Sequence, residues 1–441
     1  MRRWVFVFWV AILSAFTLAP AGAATPAAET DAQFEKTGAE PEKADAQFEE
    51  LAARIAGSEH LVGLAVAVVR DGEPTLIRTW GPRELGGTEP IDPQTVFRIA
   101  SLSKGFATSL IAQLVAEGKL KLTAHAADYA PGFRLKDRRQ LKAATLENVM
   151  SHRLGLPPHA YDNLLEANMP PSRILRRLGK VNMVCRVGDC YGYQNVAFNM
   201  LADVIEAADG RPIGEAMAAR LFKPLGMETA SLDAEGLRRT GNWARPHRRR
   251  KGKSWRLSSV RPNWYRLPAA AGVNASITDM TRWLAAQMGH APEVLSPEML
   301  STLHEPRVQT PSQRRRWRYF LEFTSAHYGL GWRVYNYRGE TVVSHTGSVD
   351  GYASQMTFLP SRNAGIVLLA NSKSQSFYSL MPIWLNLELG LPPFPEQEIS
   401  EKAEEEPAAP AGETLKPLSG SGQGGPGEHG QEPPAAASFS Q

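Results

Sequence analysis

The sequence predicts an α+β fold: an antiparallel sheet flanked by helices, with a largely helical subdomain inserted. Strand-like runs stand near both ends of the foldable stretch, at residues 61–80 and 328–370, while residues 122–300 read mostly as helices and loops. Strands first, helices between and antiparallel strands last imply one sheet built from both ends of the chain. With 441 residues, 43% of them hydrophobic, the chain can supply a sizeable core and is not disordered overall.

The elements follow in order. Met1-Arg2-Arg3, an apolar run from Trp4 to Leu18 and the small residues Ala21-Gly22-Ala23 read as a signal peptide over residues 1–24, cleaved near Ala23 or Ala24. An exported, periplasmic protein is therefore expected. Residues 25–50, rich in Ala, Glu and Asp, read as a polar tether, and residues 51–395 as the folded domain. Residues 396–441, acidic and then rich in Pro, Gly and Ala, read as a disordered tail. Within the domain, the Val-rich run at 61–69, Asp71-Gly72 and residues 75–80 form a hairpin signal. A helix is expected from Ser101 to near Gly118, with Phe106, Leu110, Ile111, Leu114 and Val115 at helical spacing. Further helices are expected over residues 194–208, closed by Gly210, and 277–288, opened by Thr278-Asp279. Strands return at 328–335, 341–345, 353–359 and 365–370, with turns at Arg338-Gly339 and Ser361-Arg362-Asn363.

The net charge of +4 conceals segregation, since residues 238–266 are strongly basic and both flanks of the domain are acidic. In a cytosolic chain Arg248-Arg249-Arg250-Lys251 would suggest nucleic acid. The export signal argues against that. It leaves a solvated loop, or contact with anionic lipid or glycan through Arg238 to Arg266. Two cysteines, Cys185 and Cys190, make neither a disulfide framework nor a zinc site, and their spacing alone does not decide whether they bridge. No G-x-S-x-G elbow and no H-E-x-x-H motif occur, and Gly252-Lys253-Ser254 lacks the earlier glycine of a phosphate loop. No metal or organic cofactor is implied.

Chemistry concentrates in three stretches. In Ser101-Leu102-Ser103-Lys104, a helix starting near the serine puts the lysine one turn on, within reach of the hydroxyl. A desolvated lysine has a lowered pKa and can take the proton of a serine nucleophile. In Tyr193-Gln194-Asn195, a tyrosine can share a proton with such a lysine and an asparagine amide can hold a substrate carbonyl. In Ser344-His345-Thr346-Gly347-Ser348, a strand end followed by glycine frees backbone N–H groups for a ligand. Singly, each has an ordinary structural reading.

Together, and in this order, they resemble the serine β-lactamase and penicillin-recognising family, in the class C β-lactamase-related branch that includes DD-peptidases, D-aminopeptidases and esterases. The resemblance also rests on Phe97-Arg98-Ile99-Ala100, Val149-Met150-Ser151-His152 with Gly155-Leu156, Pro224-Leu225-Gly226-Met227, Ala271-Gly272 and Gly351-Tyr352. It implies a β-lactamase/transpeptidase-like fold and a serine hydrolase. Ser101 would be the acylated nucleophile, Lys104 its proton partner and Tyr193 the base. Asn195 would bind the substrate amide, His345, Thr346 and Gly347 would fill the third motif, and the N–H groups of Ser101 and Ser348 would form the oxyanion hole. The implied substrate is a small molecule or a peptidoglycan-derived amide, ester or β-lactam; the alternative is a silent relative that binds peptidoglycan or a partner protein. Tyr161-Asp162-Asn163 also reads Y-x-N, and Tyr193 is preferred because an amphipathic helix follows it. Histidine in place of the family's lysine at 345 would be cationic only part of the time, given an unperturbed pKa near ~6.5.

Overall fold

In chain order the strands are β1 (Leu64–Arg70), β2 (Glu73–Trp80), β3 (Phe97–Arg98), β4 (His247–Arg248), β5 (Arg256–Leu257), β6 (Asn274–Ala275), β7 (Val308–Gln309), β8 (Ser325–Tyr328), β9 (Arg333–Tyr337), β10 (Glu340–Val349), β11 (Tyr352–Leu359) and β12 (Ala364–Ala370). The computed structural model describes residues 40–393, apart from 59, 250–253, 318–320 and 322. The expected signal peptide (1–24), the first part of the expected tether and the expected tail (396–441) lie outside the described residues. Eight strands form one antiparallel sheet in the order β2-β1-β12-β11-β10-β9-β8-β7, while β3 pairs with β6 and β4 with β5. β1 lies against β12 from Leu64↔Ala370 to Arg70↔Ala364, so the sheet is closed by strands from opposite ends of the domain. This is the α+β architecture expected.

The longer helices are α1 (Pro41–Gly57), α2 (Ser103–Ala116), α3 (Met200–Asp209), α4 (Ile277–Gln287) and α5 (Gln375–Glu388). Successive strand residues face opposite sides of a sheet, and β1 is covered on both. Leu64, Val66 and Val68 turn to a core shared with α1 and α5; Ala65, Ala67 and Val69 turn to a larger core shared with α2 and α4. That double burial is why β1 reads as a continuous apolar run. The Asp71-Gly72 turn has positive φ at both residues, 48° and 85°, which matches the right-handed twist of a two-residue hairpin.

Three local expectations are corrected. Residues 41–50 are not tether: α1 buries Ala44, Asp45, Phe48, Leu51 and Ala52, spaced to form one helical face. Arg70 at the end of β1 fastens that face, reaching Asp45 at 2.6 Å and Glu388 of α5 at 2.7 Å, and Thr75 donates to Asp45 at 2.6 Å. The strand expected over 328–335 is two, β8 and β9, parted by a bend in which Gly331 has φ 85°. The helix expected over 194–208 breaks at Asn199, whose side chain accepts the Ala269 N–H at 3.0 Å. By contrast α4 starts as expected, with Ser276 and Asp279 forming a reciprocal cap.

Because Phe48 is fully buried, Phe48→Ala should lower the unfolding free energy by about 3–5 kcal/mol in urea titration. A change under about 0.5 kcal/mol would mean that α1 is a free tether after all.

Candidate active site

Ser101 lies in a 3-10 turn, Ala100–Leu102, that runs into α2, rather than in the first turn of an α-helix as expected. Ala100 has φ 48°, a left-handed conformation unusual for alanine, so the turn persists only because its surroundings hold it. Three bonds do so. Ser103 Oγ donates to the Ala100 carbonyl at 2.6 Å and accepts the Val273 N–H at 3.0 Å, and Ser354 Oγ of β11 donates to the Ile99 carbonyl at 2.7 Å. Ser101 itself is half-buried.

Lys104 is fully buried. Its Nζ lies 3.3 Å from Ser101 Oγ, 2.8 Å from Asn195 Oδ1 and 3.0 Å from the Ala270 carbonyl oxygen. Burial pushes its pKa below the usual lysine range; Tyr193 and Asp162 pull the other way, and Arg333 adds to the depression. The geometry gives the neutral amine a direction. Its two hydrogens are taken by Asn195 and Ala270, which leaves the lone pair for the serine proton.

Tyr193 and Asn195 are both placed at this amine. The Tyr193 ring centroid is 4.7 Å from Lys104 Nζ, and the carbonyl of Tyr193 accepts the His159 N–H at 2.7 Å. His152 packs tilted against the Tyr193 ring, with centroids 4.3 Å apart, and its Nδ1 accepts the Gln194 N–H at 3.2 Å, so its proton is assigned to Nε2. Asn195 is held at both ends: its oxygen faces Lys104 and its Nδ2 donates to Asp162 at 2.7 Å. One amide hydrogen thus remains for a substrate. Asp162 belongs to the competing Y-x-N stretch, so that stretch enters the site through its carboxylate, while Tyr161 adopts φ 67° before the short helix Asp162–Glu166. Cys185 and Cys190 are bridged, and the loop they close leads directly to Tyr191 and Tyr193. The loop is tied to the His152 side by Val184 N–H to Gly155 and Gly188 N–H to Arg153, at 2.9 and 2.8 Å.

The third motif is inside a strand, not at its end. β10 pairs with β11 as far as Val349 but with β9 only through Ser344, so residues 345–349 present an open edge. Gly347 brings that edge against the nucleophile: a Cβ there would collide with the Ile99 carbonyl and lie 3.0 Å from the Ser101 amide nitrogen. Thr346 is half-buried and Ser348 is exposed, two residues apart on the same edge.

His345 is buried and does not act as a part-time cation. Burial, then Arg333 and Lys104, hold its pKa well below 6.5. Its Nδ1 is 2.9 Å from the Thr346 carbonyl, which can only accept, so Nδ1 carries the proton and Nε2 accepts from the Tyr328 hydroxyl at 3.1 Å. The permanent cation is Arg333, a residue the sequence reading missed. It starts β9 opposite Ser344, is 7% exposed, and sits 5.8 Å from the Tyr193 ring and 6.0 Å from the Tyr328 ring. Its Nε and Nη1 are buried without a hydrogen-bond partner, and it makes no ion pair among the described residues.

Two points of the basic segment are anchored. His247 N–H donates to Asn371 at 2.8 Å, and Arg248 and Arg261 each lie 3.3 Å from the fully buried Asp350, which also takes Arg98 at 2.8 Å. A broad surface cavity of about 820 Å³ beside the disulfide loop, lined by Lys136, Arg139 and Arg186 among others, contains none of the residues around Ser101. Among the described residues no His, Cys, Asp or Glu cluster is placed to hold a metal ion.

Comparison with known proteins finds relatives over most of the chain. The family model described as Beta-lactamase matches residues 44–387. The chain is similar to the unguisins hydrolase ungD' of Aspergillus campestris, at 26% identity over 351 residues, covering 76% of this chain and 63% of that protein. It thus spans less than two thirds of that relative's length. It is also similar to penicillin-binding protein 4 of Amycolatopsis lactamdurans, at 26% identity over 325 residues, covering 71% of this chain and 81% of the relative. Among solved structures, the octameric penicillin-binding protein homologue from Pyrococcus abyssi has a TM-score of 0.70 at 22% identity, covering 78% of this chain and 77% of that one, a likeness of fold.

Two buried neutral histidines have a measurable signature. His152 and His345 are both held well below 6.5, so below that pH the unfolded chain binds protons that the folded one does not. Stability should therefore fall as pH drops below 6.5, by about 1.4 kcal/mol per pH unit for each histidine until its folded pKa is reached. Urea unfolding of His345→Gln between pH 6.5 and 5 should show a slope shallower by about that amount, and an unchanged slope would show that His345 titrates normally.

Proposed function

The chain belongs to the beta-lactamase family, and from that premise we propose that it is an exported serine hydrolase acting through an acyl-enzyme on Ser101. The observation that carries this reading is the buried Lys104 amine, fixed by Asn195 and Ala270 with Ser101 as its remaining neighbour. A binding protein has no need to bury a lysine at the cost of desolvating it.

The substrate carbonyl sits with its oxygen between the N–H groups of Ser101 and Ser348. Lys104 takes the Ser101 proton as Oγ attacks the carbonyl carbon, and the negative charge of the tetrahedral intermediate falls on the oxygen facing the two N–H donors. Tyr193, over Lys104, passes the proton to the leaving nitrogen or oxygen as its bond to carbon breaks. Water then attacks the ester on Ser101, giving up a proton to the same pair, which returns one to Oγ as the bond between Oγ and the acyl carbon breaks and the acid product leaves. Asn195 holds the substrate amide with its remaining amide hydrogen. Arg333 offers its unpartnered N–H groups to a carboxylate on the leaving group, so substrates are amides, esters or β-lactams that carry such a carboxylate. The Cys185–Cys190 bridge supports export, since such bonds persist in oxidising compartments.

A fluorescent penicillin or an activated ester should label the wild-type protein covalently and leave Ser101→Ala unlabelled. Labelling that survives the substitution moves the nucleophile elsewhere; no labelling of folded wild type favours a binding role. Tyr193→Phe should slow turnover by about 10²–10⁴-fold, against less than about tenfold for Tyr161→Phe. Acylation should speed up with rising pH and level off below 10.5, because the neutral form of Lys104 is the active one.

Arg333→Gln should raise KM for a carboxylate-bearing ester by about 10–100-fold relative to its methyl ester. Equal effects on the two esters would take Arg333 out of carboxylate binding.

A further inference from the structure

We propose that this site selects an extended, peptide-like substrate with an acidic group on the acyl side of the scissile bond, held by Arg248 and Arg261 at the far end of β10. The inference rests on the acyl-enzyme reading above and adds the substrate class.

The open edge of β10 supplies the first part. Beyond Ser344 its five residues, 345–349, have no strand partner on the side of β9, and an extended chain can lie along such an edge as an added strand. The two ends of the edge differ chemically. At the His345 end stand Arg333, Tyr193 and Lys104, with Tyr193 6.4 Å from the His345 ring and 5.8 Å from the Arg333 guanidinium. The proton needed by the departing atom comes from that cluster, so the leaving group occupies that end. The acyl part therefore runs the other way, past Ser348 toward Asp350.

At this second end, positive charge is in excess. Asp350 is fully buried and accepts from Arg98 at 2.8 Å and from Arg248 and Arg261 at 3.3 Å each. Its other oxygen takes the Arg261 N–H at 3.3 Å as well as the Arg98 bond. None of the three arginines has another ion pair among the described residues, so one carboxylate stands against three guanidinium groups. Arg98 is fully buried, whereas the side chains of Arg248 and Arg261 are 51% and 42% exposed. The surplus charge thus faces outward around Asp350, in the β10–β11 turn two residues after Ser348.

These groups are also held in place. Gly351, with φ 111°, follows Asp350, and a Cβ there would collide with the backbone of His247, the residue before Arg248. His247 is itself bonded to Asn371 at 2.8 Å. Two fixed guanidinium groups bind a carboxylate through paired N–H donors with less ordering cost than free side chains would incur.

The test compares two chromogenic peptide esters that differ only in an N-terminal succinyl group or its neutral succinamoyl counterpart. Wild type should favour the succinyl ester by about tenfold in kcat/KM, chiefly through KM, and the preference should shrink in high salt. In the Arg248→Gln/Arg261→Gln double variant the ratio should fall to near one, and in the Arg248→Lys/Arg261→Lys variant it should persist in part. Ser101-dependent turnover of both esters at equal efficiency by wild type overturns the acidic selectivity and leaves the hydrolase reading standing. Turnover of neither ester overturns both. A ratio unchanged in the double Gln variant also overturns the proposal.

Discussion

An amine kept out of water is the constraint to which the rest of the site answers. Lys104 costs stability wherever it is charged, since burial disfavours the ammonium, yet it sits among three acceptors that favour it. Those opposing demands leave a group that exchanges a proton at small cost, which a poor nucleophile such as a serine hydroxyl needs. They also require rigid neighbours. Asn195 is fixed by Asp162, and Ala270 is a backbone carbonyl in a short helix, so neither can turn away when the lysine changes state.

The same economy of motion shapes the division of charge around the serine. His345 stands where the related enzymes' motif places a lysine, but it is a neutral structural member bonded to Tyr328. The positive charge has moved to the neighbouring strand, on Arg333. A guanidinium in that position keeps its charge at every physiological pH, which a histidine would not. The packing of His152, Tyr193 and Tyr328 against one another then serves as a low-dielectric wall that keeps that charge effective.

Much of this was legible in the sequence where the signal is local. Ser101 and Lys104 are three residues apart on one turn, the hairpin at Asp71-Gly72 is written in two residues, and α4 announces itself by its cap. What was hidden depends on distant partners. Arg333 is an ordinary strand arginine until the fold sets it against Tyr193 and Tyr328, and the Ala270 carbonyl would be supplied by any residue at that position. β10 runs past the expected end at His345 because Gly347 interrupts the strand signal in the sequence, whereas pairing with β11 carries the strand onward. The helix over 41–57 was hidden by polar residues on its outer face, although Phe48, Leu51 and Ala52 already stood at helical spacing.

The bond from Ser354 to the carbonyl of Ile99 spans 255 residues. A ribosome delivers the serine turn long before it delivers the strands that steady it, and β12, which joins those strands to β1, comes later still. The serine turn therefore gains its supports only after the strands late in the sequence have been made. The geometry of the turn thus depends on a sheet completed by the last strands to be made, and a cut anywhere between them would loosen a serine hundreds of residues away.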